Sequence, residues 1–219
     1  MNLTLIKTKR IFITATNTDI GKTYTTKLLL KEFASRGLRV GVMKPIETGV
    51  VTNAPDGDML LSLIKELNNE FKELSRKDIV PITYELPAAP YVSSKNKPLD
   101  LQLIDTTVKR LEKLCDILII EGAGGLYVPI DENMMMIDLI QYLDAKSLLV
   151  THCALGCIND TLLSVNALKE KNLEHNVVFN CREHNENFEI VSQPYFLETG
   201  FEVLKLEKDI KQVCDNLLL

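Results

Sequence analysis

Short apolar runs and helical apolar spacings alternate along this chain. The runs at residues 11–15, 40–43, 117–120, 148–150, 177–179 and 203–206 are strand-sized. Several are apolar throughout, as strands covered on both faces must be. Between them, Leu101, Ile104, Val108, Leu111 and Cys115 step by three and four, as do Ile158, Leu162, Val165 and Leu168. That spacing stacks apolar side chains on one helix face. The alternation predicts a three-layer α/β fold, a mostly parallel central sheet flanked by helices and joined by right-handed crossovers. Pro81, Pro87, Pro90 and Pro98 break the pattern and predict one long irregular stretch, over the site or at an interface. At 219 residues the chain reads as one domain, 1–219, long enough to bury a sizeable core.

The first candidate for chemistry is Ala-Thr-Asn-Thr-Asp-Ile-Gly-Lys-Thr at residues 15–23, between a strand-like run and a helical one. A turn in that position aims consecutive N–H groups at one point, where the helix dipole adds positive potential, so phosphate oxygens are held by backbone alone. Gly21 leaves room for close approach. Lys22 supplies a point charge for the β- and γ-phosphates, and the Thr23 hydroxyl is a hard oxygen ligand suited to Mg²⁺. The spacing departs from G-x-x-x-x-G-K-[ST], because Thr16 stands at the first glycine position and Ala15 lies one place early.

In a sheet of this kind ligands gather beyond the carboxyl ends of the strands, and three further segments fall there. In Lys44-Pro-Ile-Glu-Thr-Gly49 the expectation is a second cation, Lys44, beside Thr48 at the sheet edge. Lys22 and Lys44 are both expected on solvent-facing turns. The segment 116–125 ends a buried strand in Glu121, followed by Gly122, Ala123, Gly124 and Gly125. A lone acid there is costly unless it meets a cation, and Mg²⁺ shared with Thr23 would serve. Leu155-Gly-Cys-Ile-Asn159 opens a helix whose free N–H groups suit a carboxylate.

The balance of 25 Lys and Arg against 30 Asp and Glu gives a net charge of −5, with no Arg cluster, which argues against nucleic acid or an anionic membrane as partner. Lys7, Lys9 and Arg10 are followed by a run too short and too polar for a signal peptide, and no stretch is long enough to span a bilayer. A cytoplasmic protein is expected. The five cysteines, Cys115, Cys153, Cys157, Cys181 and Cys214, read as buried free thiols. His175 and His184 read as solvated loop residues without a role.

Taken together, T-x-T-D-I-G-K-T, K-P-I-E-T-G, E-G-A-G-G and L-G-C-I-N occur in an order and spacing that resemble the dethiobiotin synthetases, phosphate-loop enzymes of biotin synthesis. The four blocks cover most of residues 10–180. The resemblance implies ATP-dependent closure of the ureido ring: one amine of 7,8-diaminononanoate takes up CO₂, ATP phosphorylates the carbamate, and the second amine displaces phosphate. It implies that Asp19, Ile20, Gly21, Lys22, Thr23 and Tyr24 hold the phosphates. Lys44 would stabilise the carbamate and the transferring phosphoryl group, and Thr48 would contact substrate. Thr23 and Glu121 are implied Mg²⁺ ligands, joined by Asp58, which leads into the helical run 59–67, or by Asp56. Gly122, Ala123 and Gly124 would flank the nucleotide, and Asn180 would read the purine.

The resemblance further implies a homodimer with its site at the interface, where Leu155, Gly156, Cys157 and Asn159 of one subunit present backbone groups to the diamine's carboxylate in the other. The chain departs from the family at Ala15, and it lacks both a Pro-Trp-Leu-like loop after Phe201 and any Trp. Weaker phosphate contact and relaxed base choice are therefore expected. Two other readings share the loop: a partitioning-type switch ATPase, which usually carries a second lysine early in the loop, and a non-catalytic nucleotide-binding module.

Overall fold

The computed structural model describes residues 8–183 and 185–219; Lys7 and His184 lie outside them. In chain order the strands are β1 (Lys9–Ala15), β2 (Val40–Met43), β3 (Ile46–Thr48), β4 (Ile82–Tyr84), β5 (Ile117–Gly125), β6 (Pro129–Asp131), β7 (Met134–Met135), β8 (Lys146–His152) and β9 (His175–Asn180). The helices are α1 (Lys22–Ser35), α2 (Pro55–Leu67), α3 (Arg76–Ile79), α4 (Pro90–Ser93), α5 (Leu101–Glu112), α6 (Met136–Tyr142), α7 (Cys157–Glu170), α8 (Asn185–Val191), α9 (Gln193–Glu198) and α10 (Ile210–Leu218).

Five strands form the central sheet in the order β2-β5-β1-β8-β9, and each of its pairings is parallel. The sheet is apolar because both faces are covered: Phe12, Ile13, Val42, Ile119, Ile120, Leu148, Leu149 and Val150 are all fully buried. Helix α1 packs on β1, β2 and β5, α5 on β2 and β5, α6 on β5 and α7 on β8, and α10 packs back on α1. The chain leaves β1 towards β2 but later returns to β8 on the opposite side, so β1 marks the point where strand order reverses. Its carboxyl end is where such sheets bind ligands.

Two expected elements differ. Residues 203–206 do not form a strand. The backbone bonds Phe179 N–H to Leu204 O (2.8 Å) and Leu206 N–H to Phe179 O (2.9 Å) make a single bridge, after which Asp209 accepts the Lys205 N–H and turns the chain away. The proline-rich stretch is more ordered than expected. Its first part adds β4 in parallel to β3, and Pro90 opens α4 at a position where a missing N–H costs nothing. Pro87 then packs against Gly49, whose φ of +78° suits glycine.

Cys115, Cys157 and Cys214 are buried free thiols, whereas Cys153 and Cys181 are joined as a disulfide between the ends of β8 and β9. Their pairing was invisible in sequence because it depends on β8 and β9 being neighbours in register, His152 opposite Asn180. Beside it, Phe179, Phe188 and Phe196 form a small aromatic core of their own.

Candidate active site

A cavity of about 390 Å³ opens over the carboxyl edge of β1, β2 and β5, lined by Thr18, Asp19, Gly21, Lys22, Thr23, Tyr24, Lys44, Glu47, Thr48, Pro55, Asp56, Ala123 and Gly124. Residues from separate parts of the sequence thus meet at one place. A similar volume at the opposite edge is bordered by Arg10 and Lys146, but these are paired with Glu112 and Glu174.

Residues 16–21 form the loop between β1 and α1. Asp19 sits at φ +59° and Gly21 at +102°, and these turns bring the chain round to start α1. No side chain caps that helix, so the N–H groups of its first turn remain available at the cavity. Gly21 is also required for space: a Cβ there would stand 2.3 Å from Asn180 Nδ2. Asn180, from the end of β9, donates that amide to Ile20 O at 2.8 Å and so ties the loop to the far side of the sheet. Its Oδ1 has no hydrogen-bond partner among the described residues.

Lys22 and Lys44 face this one cavity but are buried, 8% and 4% exposed, not on solvent-facing turns as expected. Their environments are opposite. Among the described residues Lys22 Nζ hydrogen-bonds only to the Asn17 carbonyl, at 3.3 Å; burial, then the charge of Lys44, lower its pKa from 10.5 to about 8. Lys44 Nζ lies 2.6 Å from Glu121 Oε1 and 2.9 Å from Asp56 Oδ2. Burial would lower its pKa too, but the two carboxylates outweigh it and drive the pKa up.

Glu121 is fully buried at the end of the β5 stretch that pairs with β1 and β2. Its Oε1 accepts from Thr23 Oγ1 (2.9 Å) and Lys44, and its Oε2 accepts from Thr26 Oγ1 (2.7 Å). Every oxygen of a buried carboxylate is thereby paired, the condition for keeping it charged inside a fold. Asp56, which also interacts with the Thr23 hydroxyl, is raised by burial but lowered further by Lys44, leaving its pKa below the ordinary carboxylate value.

Of the two candidate aspartates the structure brings Asp56 to the site, not Asp58. Asp58 Oδ2 accepts the Ala54 N–H (3.1 Å) and approaches Arg76 at 3.5 Å. The reason is helical: α2 begins at Pro55, and side chains two residues apart on a helix point roughly 200° apart. Thr48, Ala123 and Gly124 line the cavity as expected. Gly122 does not; a Cβ there would stand 2.7 Å from Phe12 Cε1, so it serves packing against β1. Leu155, Gly156, Cys157 and Asn159 line no part of the cavity. Leu155 is 88% exposed, the Cys157 thiol is buried, and Asn159 bonds to Asp160.

Sequence reasoning missed Thr26 and Glu47. Thr26 follows Thr23 by three residues, which on α1 places both hydroxyls on the face towards β5, a helical-spacing signal present in the sequence. Glu47, buried on β3, accepts the N–H groups of Asp56 (3.1 Å) and Gly57 (3.0 Å), and burial raises its pKa. Tyr24 was expected at the phosphates; its ring carries the Arg182 guanidinium at 4.1 Å, and its hydroxyl donates to Glu207.

Among the described residues no group of three or more His, Cys, Asp and Glu is arranged to hold a metal. The available donors are two carboxylates and a hydroxyl, Asp56, Glu121 and Thr23. Both carboxylates already bracket one cation, the Lys44 ammonium. Hard oxygens of this number suit Mg²⁺, which takes one or two carboxylates and completes its shell with phosphate oxygens and water. No described helix is long and apolar enough to cross a membrane.

Solved structures of similar fold include a plasmid partition protein from Borrelia burgdorferi, 13% identical with a TM-score of 0.56, covering 97% of this chain and 96% of that one. The MinC:MinD cell division protein complex of Aquifex aeolicus matches at 17% identity and TM-score 0.54, covering 94% and 85%. At these identities the likeness concerns fold alone. A family profile described as an AAA domain matches residues 9–204. The ATP-dependent dethiobiotin synthetase BioD of Sulfurovum sp. (strain NBC37-1) is 47% identical over 186 residues, 85% of this chain and 89% of that protein. That of Wolinella succinogenes is 37% identical over 214 residues, covering 96% and 98%. By these matches the chain belongs to the ATP-dependent dethiobiotin synthetases, ligases of biotin biosynthesis.

Proposed function

We propose that the cavity over β1, β2 and β5 closes the ureido ring of dethiobiotin from 7,8-diaminononanoate, CO₂ and ATP. The observation that carries this is the Lys44 ammonium held between Asp56 and Glu121 and facing the same cavity as Lys22. The chemistry must bring two anions together, a carbamate and the γ-phosphate of ATP. One amine nitrogen attacks CO₂ and loses a proton, giving the carbamate. A carbamate oxygen then attacks the γ-phosphorus and ADP leaves. The second amine attacks the carbonyl carbon of the mixed anhydride, the C–O bond to phosphate breaks, and inorganic phosphate departs with the ring closed.

No covalent nucleophile is required from the protein, only positioning and positive charge. In this reading the loop N–H groups and Lys22 hold the phosphates, and Lys44, held between its carboxylates, presents its charge to the carbamate and the transferring oxygens. Thr48 contacts the diamine. Thr23, Asp56 and Glu121 would hold Mg²⁺, which when bound neutralises the triphosphate. Asp56 takes the place first expected for Asp58.

A homodimer with the site at the interface belongs to the same reading. It is supported by Leu155 and Gly156, which stand at an outward-facing helix start, Gly156 in left-handed backbone with open space around its Cα, available to a second copy and not lining the cavity of their own chain. The cytoplasm is the compartment this reading assigns. Asn180 is proposed to face the base, with Oδ1 as its free acceptor, and the absence of Trp from the chain favours relaxed base choice.

The decisive experiment measures phosphate release from ATP with and without the diamine and bicarbonate. Release dependent on both, with dethiobiotin formed in equal amount, is the expected result. Hydrolysis without the diamine would favour a switch ATPase, and no hydrolysis at all a binding module.

A further inference from the structure

We infer that Glu47 is a positioning residue for the reaction: by capping α2 from outside the helix, it fixes the direction in which Asp56 points at Lys44 and Thr23. This rests on the reading of Asp56 as a Mg²⁺ ligand and goes beyond it. The start of α2 cannot cap itself. Ala54 at the N-cap has no side-chain oxygen, and Pro55 at the next position has no N–H. The next two donors, the N–H groups of Asp56 and Gly57, go to Glu47 Oε1 and Oε2 at 3.1 and 3.0 Å. The Asp58 N–H then returns to Ala54 O at 2.7 Å. Glu47 therefore supplies both acceptors that the first turn lacks, and a carboxylate at this end of a helix is favoured by the macrodipole.

Gly57 fits the same arrangement. A Cβ at that position would stand 2.8 Å from Glu47 Oε2 and 2.6 Å from Val80 Cγ2, so only glycine lets the carboxylate lie against the helix end. Glu47 is in turn held by its strand: β3 pairs with β4, Glu47 opposite Thr83. Lys44 lies three residues earlier in the chain. One short segment thus carries both the cation that Asp56 meets and the acid that aims Asp56 at it. Side chains that orient a metal's ligands typically change its affinity about 10- to 100-fold when removed.

The test is a double-mutant cycle read by binding of a fluorescent non-hydrolysable ATP analogue as Mg²⁺ is titrated, with turnover measured on the same preparations. Glu47→Ala is expected to raise the Mg²⁺ midpoint about 10- to 100-fold. Introduced into Asp56→Asn, it should add little, because the residue it positions is already gone. Full additivity, or an unchanged midpoint in Glu47→Ala, overturns the proposal. If Glu47→Ala does not fold, Glu47→Gln, which keeps one acceptor oxygen, is taken through the same cycle: coupling with Asp56 supports the proposal and additivity overturns it. An Asp56→Asn protein with an unchanged midpoint would instead overturn the ligand reading itself, and the proposal with it.

Discussion

The β2–β5 side of the sheet's carboxyl edge and its β9 side are built on different physical terms. On the β2–β5 side Lys44, Asp56, Glu121, Thr23 and Thr26 form a closed network in which each polar side chain meets another, largely out of solvent. On the β9 side Asn180 spends its amide on the loop and leaves Oδ1 without a partner among the described residues, while Arg182 lies exposed over Tyr24. The first region is rigid because a buried charge tolerates few arrangements. The second is anchored by the Cys153–Cys181 disulfide and the aromatic cluster but leaves polar groups outside any closed network. In the proposed mechanism chemistry falls to the closed network and base recognition to the β9 side.

Removing Lys44 is the strongest way to test the contrast. Lys44→Ala should lower turnover by about 10²–10³-fold through lost charge stabilisation. It should also destabilise the fold by about 3–5 kcal/mol, because Glu121 is then buried without its cation. Denaturant melts alongside steady-state assays separate the two, and an unchanged stability would mean that the network is not closed. Next in size is Lys22. With a folded pKa of about 8 against an ordinary 10.5, it loses its charge as pH rises through 8, so ATP affinity should fall above that pH by up to about tenfold per unit. Bound phosphate favours the charged form, so calorimetry near pH 8–9 should record proton uptake on binding. For stability the sign is opposite: between 8 and 10.5 the folded chain holds fewer protons than the unfolded one, so this group makes stability rise with pH.

On the loose side the effects should be smaller. ATP, GTP and CTP are expected to support turnover within about tenfold of one another, the size of one modest hydrogen-bond difference; strict ATP selectivity would show that base recognition is tighter than the β9 side suggests. Asn180→Ala should cost about 0.5–1.5 kcal/mol of stability through the lost bond to Ile20, read in the same melts. Leu155→Ser, at an exposed position, should change stability by less than about 0.5 kcal/mol, yet raise the KM for the diamine if a second copy uses that helix start. An unchanged KM removes Leu155 from the interface reading.

The strands and helices were legible where local pattern and tertiary burial agree. The runs at 117–120 and 148–150 are apolar throughout, and that at 11–15 is so except for the buried Thr14, because helices cover both sheet faces, and the three-four spacing at Leu101 to Leu111 marks the buried face of α5. The run at 203–206 has the same local character but meets β9 at one residue only. Nothing local distinguishes it, because the turn imposed by Asp209 competes with the sheet. In the site, Lys22, Thr23 and Glu121 followed from their place at strand ends. Asp56 against Asp58 did not, since it depends on α2 starting at Pro55.

By itself the sequence determined the alternating α/β plan, the phosphate loop after the first strand, and the family, because these reside in residue types at fixed short spacings. Tertiary structure decided which aspartate faces the cations, that Lys22 and Lys44 are buried with opposite pKa shifts, that Glu47 and Thr26 support the site, and that Cys153 meets Cys181. Those outcomes depend on distances between segments 9 to 95 residues apart in this chain, and a hydrogen bond or ion pair a few ångströms long is set by where the sheet puts each strand end, which no local pattern records.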